Sequence, residues 1–551
     1  MKLFEPLGRL LKLLDRHKKE LTSIYFYAIL SGIVQLSVPI GVQAIISFVL
    51  GATMVTSIYV LIVLVVIGVL LVGVMQMNQM KIIEKIQQSI FANYALEFTE
   101  VIPRFDLRKT DDLYLPEHVN KFFDVLNVQK GLSKILLEIP IASIQILFGL
   151  ILLSLYHPVF IVFGLLLLVV LIFILKYTSV KGLETSLKES SYKYSVVAWL
   201  QEMARVIKSF KFSQGSHLNL QKTDKNLQGY LTARTAHFKI LLFQYQTLVL
   251  FKVTITSAML IIGTFLLINQ SLNIGEFIAA EIVILMVIAS VEKLISSLDS
   301  VYDVITGLEK LATVIDSPQE KDGSVLLNAQ ENGVEFDMVD FSYNFPNGQL
   351  LFNKVNLSIP KYSLVGISGL EGAGKSTLLK IFSGSVSDYQ GNILLNNIPM
   401  TNYQLESLRN QIGMYLHQQD IFKGSIFENI SMCRQGISPE IIMETAETLG
   451  FEKFLINIHN GLDTLIDASG KKLPNTLVKK LLLLRAFVNK PKLLLLDEPW
   501  TGLEEQAKNN LIDYLLDKKL KRTILVATND ADFLSKCDIQ IELNNGNAIV
   551  K

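Results

Sequence analysis

From Leu21 to Met80 the chain runs for 60 residues without a charged side chain, an apolar length that suits a bilayer and not a water-soluble core. A hydrocarbon layer of about 30 Å takes about 20 helical residues. That ruler divides the apolar stretches into six spans in three pairs: about 21–47 and 54–77, 135–156 and 158–176, 242–268 and 274–292. Each pair folds back at a short turn, Gly51-Ala52-Thr53, Tyr156-His157-Pro158 or Asn269-Gln270-Ser271. None of these turns holds lysine or arginine, whereas Arg9, Lys12, Arg16, Lys18 and Lys19 precede the first span and the segments 81–134 and 177–238 are basic. The positive-inside rule therefore predicts both termini and both long segments on the cytosolic side. Residues 1–20, with Arg9-Leu10-Leu11-Lys12-Leu13-Leu14, predict an amphipathic helix on the inner membrane face and not a cleavable signal.

Depth decides what the charges within the spans mean. At 1.5 Å per residue, Glu138, Lys252 and Glu292 fall roughly 24–27 Å from the outer ends, where side chains reach the inner interface cheaply. Glu281 is about seven residues from the outer turn, and either lines a wet cavity or bonds between helices. The two long segments exceed what turns need, and Ala204-Arg205-Val206-Ile207-Lys208 has a helical pattern; they predict cytosolic structure used by the rest of the chain.

Beyond Asp316-Ser317-Pro318-Gln319 the pattern changes to short β-type runs alternating with helices. This predicts a linker over 316–333 and an α/β domain over 334–551, after a membrane domain over 21–315. The run Ser363–Ser368 reads as a strand, then Gly369-Leu370-Glu371-Gly372-Ala373-Gly374-Lys375-Ser376-Thr377 precedes a helix. Glycines let backbone N–H groups curl around a phosphate at a helix N-terminus, Lys375 suits the β- and γ-phosphates, and the Ser376 hydroxyl suits Mg²⁺. A second motif, Leu493-Leu494-Leu495-Leu496-Asp497-Glu498-Pro499, predicts a buried strand bringing Asp497 to the metal and Glu498 to an attacking water. The expected cofactors are ATP and Mg²⁺.

Composition narrows the classes. Half of the residues are hydrophobic and 18% charged, and the net charge of +1 gives no basis for binding nucleic acid. Cys433 and Cys537 are the only cysteines; they form no metal-type spacing and read as buried small residues.

With both motifs and six spans, the whole chain resembles an ABC exporter half-transporter: an all-α six-helix transmembrane domain followed by an α/β P-loop NTPase, over about 1–315 and 330–551. The resemblance implies a second half-transporter as partner, in a homodimer or a heterodimer, within the bilayer of the bacterial inner membrane, and a cytosolic nucleotide-binding domain. It implies that Tyr343, 26 residues before Gly369, stacks on adenine, and that short coupling helices lie near 106–118 and 194–206. Gly424-Ser425-Ile426-Phe427-Glu428-Asn429-Ile430 resembles the family stretch after the glutamine loop. The span-and-loop text also resembles type I protein-secretion exporters, which brings in a periplasmic adaptor as a candidate partner, although no peptidase-like domain fits before the first span.

Several family positions depart from the pattern. The glutamine-loop position aligns with His417, beside Gln418. The Leu-Ser-Gly-Gly-Gln signature becomes Leu473-Pro474-Asn475-Thr476-Leu477, the switch histidine becomes Asn529, and Glu504 replaces the aspartate after the second motif. In the family the signature holds the γ-phosphate bound to the opposite subunit. Pro474 removes a donor and a hydroxyl, while Asn475 and Thr476 add side chains where close backbone approach is wanted. The Thr476 and Leu477 N–H groups at a helix start still suit an anion. Asn529 donates a hydrogen bond but carries no proton as histidine does. Three readings follow: an ATP-driven exporter of protein, lipid or drug; an ATP-binding but weakly hydrolysing regulatory or gated membrane protein; or the degenerate subunit of a heterodimeric exporter.

The topology is testable in whole cells. Cysteines introduced at positions 51, 157 and 270 will react with a membrane-impermeant thiol reagent; protection at two of the three refutes the map.

Overall fold

The computed structural model describes all residues except 1–3, 52–54, 111–112, 214–215, 328–332, 346, 417–420, 468–472 and 545. It divides into two compact units, Met1–Pro103 with Leu113–Ser317, and Arg104–Asp112 with Pro318–Lys551.

The first unit is helical. Phe4–Arg16 is the amphipathic helix expected at the amino terminus. Among the described residues six segments are long and apolar enough to cross a membrane: Lys18–Leu50, Thr56–Arg104, Leu115–Tyr156, Phe160–Arg205, Leu218–Ile268 and Ile274–Ile315. Backbone amides in hydrocarbon must bond within their own segment, so apolar sequence of this length folds as helix. The third to sixth begin or end at the turns read from the sequence; of the first turn, residues 52–54 lie outside the described residues. These segments outrun the bilayer: Leu218–Ile268, at 51 residues, is about 75 Å long. The basic segments expected on the cytosolic side are thus mostly continuations of the spans.

Local chemistry sets the helix breaks. The first span is two helices, Lys18–Gln35 and Ser37–Leu50, because Pro39 has no N–H for the Gln35 carbonyl. The last begins in a capping box, where Asn273 Oδ1 accepts from Glu276 N (2.8 Å) and Glu276 Oε2 accepts from Asn273 N (2.9 Å). Lys252 and Glu292 pair at 2.5 Å, and Ser297 donates to Glu138 (2.8 Å). These charges are satisfied between helices, a pairing that depth alone did not predict. Glu281 is half-buried on the Ile274–Ile315 helix.

The second unit holds two main sheets and a two-stranded ribbon of β7 (Gly424–Ser425) and β8 (Leu465–Ile466). One has four strands in the order β2-β1-β4-β5, formed by β1 (Phe336–Asn344), β2 (Leu350–Ile359), β4 (Gln390–Leu395) and β5 (Ile398–Pro399). The other has six strands in the order β12-β11-β3-β10-β9-β6: β3 (Leu364–Gly369), β6 (Ile412–Tyr415), β9 (Leu493–Asp497), β10 (Thr523–Ala527), β11 (Ile539–Asn544) and β12 (Asn547–Val550). All but the edge strand β12 run parallel. Residues Leu493–Leu496 and Ile524–Ala527 are buried, the continuous apolar pattern of strands covered on both faces.

The unit boundary falls between Ser317 and Pro318, so most of the expected linker is built into the second unit. Asp106 N donates to Pro318 O (2.9 Å) and Glu320 N to Arg104 O (2.8 Å), and Val325 bridges to Tyr403. Of the two expected coupling helices, 106–118 is divided between the units, with Leu115–Asn120 a short helix of the first. Residues 194–205 are the end of the Phe160–Arg205 helix.

The cysteines differ from expectation. Cys537 is partly buried, donates to Phe533 O (3.5 Å), and burial, with the Asp538 carboxylate adding, pushes its thiol up to about 12. Cys433 is exposed, because Met432 and Cys433, at φ 50° and 52°, turn the chain outward after the Ile426–Ser431 helix. A thiolate is the reactive form. At pH 8 a maleimide will therefore label one site, lost in Cys433→Ser, and Cys537 in the folded chain will react only towards pH 12.

Candidate functional site

The loop Gly369–Gly374 leaves β3, which lies between β11 and β10, at the carboxyl edge of the parallel strands, where such sheets bind ligands. Gly369 has φ +152° and Gly374 φ +98°; a Cβ would come 2.7 Å from Leu543 O at the first and 2.9 Å from the Phe352 ring at the second. Only glycine closes this loop onto the helix Lys375–Phe382, whose first N–H groups lack intrahelical partners and attract an anion. Lys375 Nζ rests on Gly369 O (2.7 Å) and Leu370 O (3.3 Å). Ser376 Oγ donates to Asp497 Oδ2 at 2.6 Å, so the two oxygens read as metal ligands already converge.

The parallel pairing of β9 with β10 sets Asp497 opposite Ala527. Glu498 N then donates to Ala527 O (2.9 Å), and Thr528 Oγ1 donates to Glu498 Oε2 (3.3 Å). Glu498 itself has φ 45°, a left-handed backbone unusual for a residue with a side chain. Asn529 Oδ1 accepts from Gly369 N (3.1 Å), tying the switch position to the loop. A cavity of about 570 Å³ is lined by the whole loop from Leu370 to Thr377, which includes Glu371, Gly372 and Ala373, together with Phe345, Asp497, Glu498, Thr501 and Asn529.

Other predicted residues lie elsewhere. Tyr343 does not line this cavity: its ring is 5% exposed within the core, under the Arg108 guanidinium at 5.1 Å. Among the described residues the aromatic ring that lines the cavity is Phe345, edge-on to Tyr343 at 5.9 Å. Arg108 also pairs with Asp388 (2.8 Å) and donates to Asn344 O (2.9 Å), which holds the end of β1 in place. Asn475 and Thr476 are exposed at the start of the Asn475–Phe487 helix, and are not among the residues lining the cavity. His417 and Gln418 lie outside the described residues.

This geometry has a counterpart in a solved structure of a bacterial Atm1-family ABC exporter with ATP bound, which superposes with a TM-score of 0.80 over 96% of this chain and 94% of that one, at 15% identity. The chain has the fold of an ABC exporter half. The family model described as ABC transporter matches residues 352–501, the stretch that carries both phosphate motifs. Among curated relatives, the alpha-hemolysin translocation ATP-binding protein HlyB of Escherichia coli O157:H7 is 27% identical over 350 residues, 63% of this chain and 49% of HlyB. The leukotoxin translocation ATP-binding protein LktB of a Pasteurella haemolytica-like species is 26% identical over 64% of this chain and 50% of its own length. The uncharacterized ABC transporter ATP-binding protein YwjA of Bacillus subtilis is 30% identical over 53% of this chain and 51% of its own. The chain thus spans about half the length of the curated relatives it matches.

One residue beside the site was not foreseen. Lys479 is 8% exposed; burial pushes its ammonium down to about 8, against the pull of the Glu498 and Asp497 carboxylates. Nothing along the leucine-rich Asn475–Phe487 helix signals its partners.

Phe345→Ala will weaken binding of a fluorescent ATP analogue by about tenfold, the scale of one base–aromatic stack. Unchanged affinity would return the stacking role to another ring.

Proposed function

We propose that this chain is an ATP-driven exporter, one of two half-transporters in a bacterial cytoplasmic membrane, with its nucleotide-binding domain in the cytosol. The observation that carries the reading is one cavity combining a glycine cradle, Lys375, the Ser376–Asp497 pair and Glu498, in a chain with six membrane-length helices. The donors suit Mg-ATP. The helix N-terminus and Lys375 take phosphate oxygens, and Ser376 with Asp497 offers two hard oxygens to a divalent cation. Bound Mg²⁺ would neutralise charge across the β- and γ-phosphates. Glu498, with Thr528 on one oxygen, has the place and chemistry to accept a proton from water.

Cargo is a narrower matter. HlyB and LktB carry alpha-hemolysin and leukotoxin translocation in their names, which supports a protein or peptide cargo by likeness. A periplasmic adaptor belongs to that reading alone.

The altered positions favour slow turnover in a homodimer. Pro474-Asn475-Thr476 and Asn529 replace groups that would clamp and sense the γ-phosphate, whereas the groups that hold nucleotide and activate water remain. A weakened charge-assisted contact costs about 1.5–3 kcal/mol, or roughly 10–100-fold in rate, and such losses need not add. A heterodimer whose partner brings an intact signature would recover one site.

The test is vanadate-sensitive ATP hydrolysis by the full chain in lipid. Combining Pro474→Ser, Asn475→Gly, Thr476→Gly, Leu477→Gln and Asn529→His will raise the rate, and adding Glu498→Gln will abolish the gain. A wild-type homodimer already turning over tens of times per second would falsify slow turnover. No hydrolysis in any of them would leave the weakly hydrolysing regulatory reading instead.

A further inference from the structure

The turn that follows β9 carries two cavity residues, Glu498 and Thr501, and its first residue sits in a left-handed conformation. A side-chain-bearing residue holds that conformation when its surroundings fix it. On one side, Glu498 is fixed by Ala527 O and Thr528 Oγ1. On the other stands the Asn475–Phe487 helix with two consecutive lysines, 8% and 7% exposed, although lysine is almost never buried unpaired.

Each lysine grips one end of the same loop. Lys479 Nζ donates to Glu498 O (3.2 Å) and to Thr501 O. These carbonyls flank a turn closed by Thr501 N on Glu498 O (3.4 Å). The ammonium also lies 5.5 Å from the centre of the Tyr415 ring. Lys480 pairs with Glu504 at 3.6 Å and stands 5.9 Å from the Phe451 ring centre. Among the described residues no carboxylate forms an ion pair with Lys479. Its charge is spent on two carbonyls of one turn, which is a poor arrangement for packing a helix and a good one for fixing a loop.

We infer that Lys479 is a positioning residue for Glu498: it does not line the nucleotide cavity, and it holds the 498–501 turn so that the carboxylate stays aimed at the attacking water. Lys480 steadies the far end through Glu504, which explains a glutamate at that position. Lys479 is one helical turn from Asn475, so a displacement at the exposed start of the helix is passed to the turn that carries Glu498. The inference rests on the reading of Glu498 as the water-activating group.

The experiment uses the full chain in nanodiscs, with two independent readouts: steady-state ATP hydrolysis, and amide hydrogen exchange of the peptide covering 498–504. Lys479→Met keeps the stem and removes the donors. It will lower kcat by about 10–100-fold, leave KM for ATP within about twofold, and speed exchange at Thr501–Leu503. Lys479→Arg, which can give both bonds, will restore slow exchange and most of kcat. Lys479→Gln serves if the methionine variant does not fold. A kcat within about twofold of wild type in the methionine variant, or unaltered exchange of the loop, overturns the inference. If the wild type hydrolyses no ATP, faster exchange in Lys479→Met still supports the clamp, and only the activity assigned to Glu498 falls.

Discussion

Hydrocarbon offers a peptide group nothing to bond to, and the organisation of this chain follows from that constraint. Each of six apolar stretches has to satisfy its own N–H and C=O groups, so each becomes a helix. Once started, these helices do not stop at the lipid boundary, because the basic sequences that follow also favour helix and carry few breakers. A 42-residue helix such as Ile274–Ile315 is a stiff rod with one part in lipid and one part in water. Where charges fall inside the apolar lengths they are met by partners on neighbouring helices, as with Lys252 and Glu292.

The nucleotide-binding unit answers a different constraint, that of holding a multivalent anion with few cations. Backbone supplies most of the attraction: a glycine loop, a helix start and one lysine, with Ser376 and Asp497 already in contact. Such a cradle is set by one short run of residues and does not depend on the side chains at 473–477.

What the sequence made legible was whatever is contiguous. The spans, their turns and the phosphate loop each occupy a single run of residues, and local chemistry alone decides them. What it hid depends on tertiary contacts. Phe341 and Tyr343 alternate with Ser342 along β1, and the strand turns both rings into the core, while Phe345 escapes that alternation only because the strand has ended at Asn344. The period of two along β1 is what sets Tyr343 in the core and leaves Phe345 at the cavity. Lys479 was illegible for another reason: nothing along the helix reveals that its ammonium meets a turn 19 residues further on. Cys433 shows the limit of residue-type averages, since a small apolar residue in a left-handed turn points outward whatever its preference.

The segment Arg104–Asp112 belongs with residues more than two hundred positions later, and this has a consequence during synthesis. Arg108 is separated from Asp388 by 280 residues. At about 5–20 residues per second a ribosome needs roughly 15–60 s to make that interval. Throughout it the first loop is without its strand partners while four further spans enter the bilayer. The nascent chain therefore cannot complete its carboxyl-terminal unit as an independent late event: that unit closes around a piece of polypeptide laid down before most of the membrane part existed.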